Sequence, residues 1–547
     1  MTTVDLLFRN GSLFDGDRHR PGRAVGVRAG RITAVVAEQE ADDLVGRGTR
    51  VVDLAGGLLL PGFQDAHVHP VQGGLERIRC DLSELGTREE YVAAVADYAA
   101  RNPGSDWVCG GGWAMPAFGA GGPTAALLDA VLPDRPVFLP NRDHHGAWVN
   151  SAAMRAAGID RGTPDPVDGR LERDADGTPT GTLHEGAMAL VQRLVPAPDV
   201  ADYDRALAEA QAYLHSVGVT AWQDAILGDY AGLDDPAPTY QRAVAAGRLT
   251  ARVRGALWWD RARGLEQVVD LLERRERFTG GRLVAGSVKV MQDGVAENYT
   301  AAMTRPYRDG CGGHTHNAGL SFVDPELLAE AVTRLDAHGF QVHVHAIGDR
   351  AVREALDAVA AARRANGTTD GRHHLAHLQV VHPEDRHRFA ELDVTATVQP
   401  LWAAYDEQMV ELTIPFLDEA AVAWQYPFGD LARAGARLAA GSDWPVSSPD
   451  PLAGIHVAVN RRLHGETGRA GSEAFLADQA LGAEQAFAAY TSGSARVNHL
   501  DETGRVAPGL LADLVVLDRD PLVAPAEEIG AARVRETYVD GEQVFIR

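Results

Sequence analysis

Only three cysteines, Cys80, Cys109 and Cys311, occur in 547 residues, far apart and without Cys-x-x-Cys spacing. That pattern excludes a disulfide framework or a cysteine metal knot and leaves buried free thiols as the ordinary reading. Basic charge is also scarce: 52 Lys and Arg face 76 Asp and Glu, for a formal net charge of −24. The basic residues are mostly arginine and scattered, so no concentrated positive surface is available for nucleic acid or an anionic membrane. No apolar run reaches bilayer length, and the opening MTTVDLLFRNGSLFDGDRHR lacks the basic start and apolar stretch of a signal peptide. The glycine-rich GGGWAMPAFGAGG lacks phosphate-loop spacing, and no Gly-x-Ser-x-Gly elbow occurs. These absences predict a cytoplasmic protein whose partner is a small molecule, with no nucleic acid and no membrane.

What is present suits a large folded enzyme-sized chain. The apolar fraction is 45% and the charged fraction 23%, ample for a buried core. The length fits one large α/β barrel with a second, smaller module. Short β-rich runs separated by Gly, Asn and Asp turns fill the first sixty or so residues. The C-terminal end has the same texture, with an Asp-Gly turn inside VRETYVDGEQVFI. From about 62 to 500, strand-like runs alternate with Ala- and Leu-rich helical stretches that end at glycines. The expected fold is therefore α/β, a (β/α)8 TIM-like barrel with a small β-sandwich built from both termini. Residues 1–61 and 496–547 would form the sandwich and 62–495 the barrel, with an insertion around 103–200. Eight barrel strands can be placed: the segment ending in His67-Val68-His69, then 136–141, 218–225, 282–294, 339–349, 373–379, 393–400 and 436–446.

Chemistry gathers at the ends of those runs, where a barrel places its catalytic groups. His67 and His69 close the first, Lys289 lies late in its run, His345 ends VHVHA, His377 ends HHLAH, and Asp443 follows LAAGS. Two histidines one residue apart on a strand share a face, so both imidazoles can meet one metal. Imidazole nitrogens with a carboxylate suit Zn²⁺ and leave a position for water, whose pKa the ion brings to about 7. Asp443 could then take the proton and pass it on. Trp113, Trp148 and Trp444 are candidates for an apolar substrate wall, with core packing an equal alternative.

The chain resembles the amidohydrolase superfamily, and within it amidohydrolase family 3, which includes N-substituted formamide deformylases and YtcJ-like hydrolases. The resemblance rests on LPGFQDAHVHP, DHHGAWVNSAAM, GTPTGTLHEGA, GVTAWQDA, VKVMQDG, VHAIGDRAV, HLAHLQ, VQP, GSDWPV and GRVAPGLLADLVVLD, in that order. It implies a two-zinc hydrolase cleaving an amide or formamide C–N bond by attack of metal-bound hydroxide. His67 and His69 would hold the more buried ion with Asp443 beside it, His345 and His377 the second, and a carboxylated Lys289 would bridge them. It also implies a catalytic or oxyanion role for His145 and substrate contacts for Glu185 and Asp224; His144 and Trp444 are taken as further substrate-binding residues.

Two departures from the family pattern matter. RHHLAH stands where RHRxEH is common, so His374 and Ala376 replace an arginine and a glutamate. His144 replaces a glycine. His343, His373 and His374 are read as packing or surface residues beside the motif-matched His345 and His377. The same groups also suit a cyclic amide, an ester, an imine-type substrate or a non-catalytic binding barrel, because a fold does not choose its chemistry. Oligomeric state is not legible, although homodimers are common among large enzymes.

Overall fold

The computed structural model describes residues 3–118, 122–142, 144, 146–166, 169–230, 232–310 and 313–547. The chain forms two compact units, one of residues 1–69 with 211–547 and one of residues 70–210.

The first unit contains an eight-stranded parallel sheet in sequence order. Its strands are β1 (Phe63–Val68), β2 (Val219–Leu227), β3 (Arg252–Trp258), β4 (Leu283–Met291), β5 (Gln341–Ala346), β6 (His374–His377), β7 (Thr395–Val398) and β8 (Arg437–Ala440). Helices such as Pro325–Ala337 and Asp349–Asn366 connect successive strands. Asp324 starts the former by accepting from the Glu326 and Leu327 amides. The sheet curls until β1 and β8 meet: the Asp443 amide donates to His67 O at 2.8 Å. The Asp65 carboxylate accepts from the Ser442 amide and hydroxyl across the same seam. The expected barrel is thus present, and its closing seam runs through two of the site residues.

Seven of the eight expected barrel strands are found, and one assignment is corrected. Val137–Pro140 is not a barrel strand; it lies in the second unit and pairs antiparallel with Gly146–Val149. The missing strand is β3, whose RVRGALW breaks the apolar run with two arginines. Both arginines are structural. Arg252 binds Asp513 (Nε–Oδ2 2.7 Å) and Asp540, and Arg254 donates to the carbonyls of Asn498 and His499.

The two termini build a sandwich. A four-stranded sheet is ordered Arg31–Ala37, Arg23–Arg28, Leu6–Arg9, Arg50–Asp53. A six-stranded sheet is ordered Glu542–Ile546, Val534–Val539, Leu514–Leu517, Leu58–Pro61, Ser12–Phe14, His19–Pro21, so strands from both ends of the chain are neighbours. Leu6, Phe8 and Val27 of one sheet share a core with Leu59, Leu514, Val516 and Tyr538 of the other. Asp540 and Gly541 both take positive φ (51° and 74°), the two-residue hairpin conformation expected from Asp-Gly.

The second unit is more than a glycine-rich loop over 103–200. It has its own six-stranded sheet from Cys80–Asp81 to Gly169–Arg173, and the helix Arg88–Arg101 packs with it. Its beginning at residue 70 was hidden because that strand and helix repeat the barrel's own rhythm. Cys80 is buried and Cys109 half-buried, both as free thiols, while Cys311 lies outside the described residues. Among the described residues no helix is long and apolar enough to cross a membrane.

Candidate metal centre

The site begins at the end of β1. Asp65 and His67 alternate on one face of the strand, and the Asp65 carboxylate accepts the His67 amide at 2.9 Å. His69 lies one residue past the strand, its amide donating to Trp444 O at 2.8 Å. The Nε2 atoms of His67 and His69 each lie 3.0 Å from Asp443 Oδ1. Their ligand atoms fall within 4.8 Å of one another, the grouping of three such side chains found among the described residues. Asp443 reaches this position through a left-handed backbone (φ 57°), as does His377 (φ 78°). Such conformations disfavour non-glycine residues and collect at functional sites.

Lys289 is the one lysine of the chain; every other basic side chain apart from histidine is arginine. It is buried on β4, and its Nζ lies 3.4 Å from His67 Nε2. The rings of His345 and His377 complete the cluster, 4.4 Å apart at their centroids, with His377 4.6 Å from His67. The His345 Nε2 donates to Gly294 O at 3.2 Å, which leaves Nδ1 as its lone-pair nitrogen. His377 stacks parallel on Trp402, and its buried Nδ1 has no hydrogen-bond partner among the described residues. Thus β1, β4, β5, β6 and the segment after β8 bring together all six expected ligands.

Burial sets the protonation of the group. It pushes the His67 and His345 imidazoles down to about 3, with the Lys289 charge adding to the effect. It brings the Lys289 ammonium down to about 7, against the opposing pull of Asp443. Burial would raise the Asp443 carboxyl, but the adjoining His67 and His69 hold it well below the usual carboxylate range. Lone-pair imidazoles around an ionised carboxylate are the donor set that a divalent cation needs.

A sequence profile of the amidohydrolase family matches residues 50–545. The chain belongs to the amidohydrolase family. It is 31% identical to the putative amidohydrolase YtcJ of Bacillus subtilis, over 91% of this chain and 90% of that one. It is 28% identical to an N-substituted formamide deformylase of Arthrobacter pascens, over 98% and 97%. An uncharacterized metal-dependent hydrolase from Pyrococcus furiosus superposes with a TM-score of 0.71 at 26% identity, covering 94% of this chain and 99% of the other. The protein is accordingly a hydrolase of the metal-dependent kind, with a small-molecule substrate.

The remaining expected site residues of this amidohydrolase fall in two groups. Asp224 and Trp444 belong to the unit that holds the six expected ligands. Asp224 accepts from the Tyr240 hydroxyl at 2.8 Å, and burial pushes its carboxyl up to about 6 while the nearby His69 opposes it. The Trp444 ring is buried and packs 5.5 Å from Tyr213. Trp113, Trp148, His144 and Glu185 belong to the second unit. Trp113 and Trp148 are core residues there, with indoles donating to Leu139 O and Thr124 O. His144 Nε2 lies 3.3 Å from Glu76 Oε1, and Glu185 is exposed at the end of its strand with φ 50°. His145 lies outside the described residues.

Several residues beside the ligands escaped the sequence reading. His343, His373 and His374 are all fully buried, so none is a surface residue. His343 Nε2 is 2.8 Å from His67 Nδ1, and His373 joins Asp336 to the Val342 amide. Asp293 accepts the amides of Ala302, Ile347 and Gly348 and lies 3.6 Å from His345. Strand alternation could have found Asp65 and His343, each two residues before a ligand; nothing local marks Asp293 beyond its motif.

Proposed function

We propose that this amidohydrolase cleaves the C–N bond of an amide or N-substituted formamide, at a centre of two zinc ions completed by a carboxylated Lys289. The observation that carries the reading is the convergence of His67, His69 and Asp443 with the chain's single lysine, 3.4 Å from His67. The bond type is supported by the deformylase relative.

Divalent cations held there would polarise the scissile carbonyl and acidify a water molecule. His67, His69 and Asp443 would hold one ion and His345 and His377 the other. The Lys289 amine, brought within reach of its neutral form at physiological pH by burial, adds CO₂ and releases a proton, turning a cation that repels metals into an anion that binds them. Asp443, ionised and next to both His67 and His69, takes a proton from the attacking water at its carboxylate and returns it to the departing nitrogen. For a formamide the hydroxyl ends on the formyl carbon, and the products are formate and an amine. Asp224, buried in the unit that holds these residues, is assigned a hydrogen bond to the substrate.

The test is metal analysis of the purified protein and turnover of N-substituted formamides, acyl amides, cyclic ureas and esters after loading with zinc and bicarbonate. Amine release from the first two classes is expected. Turnover of cyclic ureas or esters alone would move the bond assignment, and absence of metal binding would remove the whole reading. With ¹³C-bicarbonate, a single carbamate carbon signal is expected and should vanish in Lys289→Arg; no signal in the loaded wild type would eliminate the carboxylated lysine.

A further inference from the structure

The barrel interior beneath the ligands is polar rather than apolar. His343 on β5 is in register with Lys289 on β4 and with His374 on β6, one strand-face step below His345. Its Nε2 lies 2.8 Å from His67 Nδ1, with both rings buried and nearly perpendicular (79°). An imidazole–imidazole hydrogen bond has one donor and one acceptor, so the tautomer of one ring dictates that of the other. His67 Nε2 is the atom that faces Asp443 Oδ1 and Lys289 Nζ. For that nitrogen to offer a lone pair to a cation, His67 must carry its proton on Nδ1 and His343 must accept it.

We infer that His343 is a positioning residue for the metal centre, accepting the His67 Nδ1 proton and so turning the His67 Nε2 lone pair toward the cation. The inference rests on the proposed metal centre and names a function for a histidine that is not itself a ligand.

The ring that supports His343 is held by an unambiguous chain of donors. Gln341 Nε2 lies 2.8 Å from Arg372 O and 2.6 Å from Val497 O, and two carbonyl acceptors require an amide NH₂ there. Gln341 Oε1 therefore accepts from Gln223 Nε2 at 2.9 Å, which directs Gln223 Oε1 to His374 Nε2, also 2.9 Å away. His374 thus carries its proton on Nε2, and its Nδ1 accepts from the Thr397 hydroxyl at 2.9 Å. His343 stacks on this immobilised ring at 3.9 Å between centroids and 35° between planes. Its own proton then sits on Nδ1, which has no acceptor among the described residues, so the ring contact with His374 rather than a further hydrogen bond sets the angle of the ring. The orientation of His67 is in this way referred through two rings and two amides to backbone carbonyls at the far end of the strands. Outer partners of this kind tune metal affinity by about 10–100-fold.

The experiment measures Zn²⁺ affinity by chelator competition in the full chain, for the wild type, His343→Phe and His343→Gln. Phenylalanine keeps a stacking ring without an acceptor; the glutamine carbonyl can reach the place of the imidazole Nε2. His343→Phe is expected to bind zinc about 10–100-fold more weakly, and His343→Gln to recover most of that loss. Equal affinity in His343→Phe and the wild type would overturn the inference, as would equal losses in both variants, which would indicate shape rather than an acceptor. A wild type that binds no zinc would instead overturn the proposed function and this inference with it. Should His343→Phe not fold, ¹⁵N-histidine spectra of the zinc-loaded wild type decide the matter. The His343 signals, identified by their loss in His343→Gln, should report a protonated Nδ1 and a bare Nε2; a proton on Nε2 would overturn the assignment.

Discussion

Asp443 combines two properties that one side chain rarely holds together: burial and a carboxyl held well below its usual range, the second by His67 and His69 at 3.0 Å. Replacing it with asparagine keeps a ligand oxygen but removes the basic site. Asp443→Asn should retain most of its metal and lose about 10²–10⁴ in kcat, the usual share of general acid–base catalysis; turnover at the wild-type rate would refute the proton-transfer role. His215, away from the ligands, shows what burial does where no metal is involved. Its Nδ1 donates to Val219 O, its Nε2 accepts from Thr250, and burial lowers it to about 4. The unfolded chain binds a proton here below its ordinary pKa of about 6.5 while the folded chain does not, so stability is complete above that pH and falls as pH drops toward 4. His215→Gln should flatten the acid side of the stability profile between pH 6.5 and 4 by up to about 1.4 kcal/mol per pH unit. Denaturant unfolding at several pH values, with metal removed, measures it; an unchanged slope would mean that His215 titrates equally in both states.

At the scale of elements, the site depends on a seam rather than on any one strand. β1 and β8 meet through Asp443 N to His67 O and through the Asp65 carboxylate, which gathers His67 N, Ser442 N and Ser442 Oγ. Gly441 sits in this seam because a Cβ there would lie 2.7 Å from His67 N and 2.8 Å from His67 Cβ, neither of which can swing away. Gly441→Ala should therefore force β1 and β8 apart and weaken metal binding at least tenfold, a change read by chelator competition; binding at wild-type strength would mean that the seam yields without moving His67. The strand ends also explain why the proposed ligands could be named from sequence. Period-two alternation placed His67 on a strand face, and the barrel rule placed His345, His377 and Asp443 at corresponding ends. The same alternation failed for β3, because Arg252 and Arg254 spend their charge on the sandwich and on the carbonyls of residues 498 and 499 rather than on solvent.

For the whole molecule, Arg252 ties the start of β3 to the terminal sandwich through Asp513, whose side chain is 1% exposed, and through Asp540. Arg252→Met would leave a buried carboxylate without its cation, at a cost of about 3–5 kcal/mol. Denaturant unfolding should show that loss while metal content stays at the wild-type level, because β3 carries no ligand; unaltered stability would show that the sandwich holds without this bridge. The family, the barrel and the paired termini were legible in the sequence because each depends on local chemistry, strand-end motifs, turn residues and apolar periodicity; the six residues proposed as ligands were named from the same strand ends. Even the solitary lysine, in a chain that otherwise uses arginine, is a sequence fact. Tertiary structure alone decided that Val137–Pro140 belongs to a separate unit starting at residue 70, since a strand's pattern does not name its neighbours. It alone decided that His343 pairs with His67 Nδ1, because a hydrogen bond between segments 276 residues apart leaves no trace in either segment's own sequence.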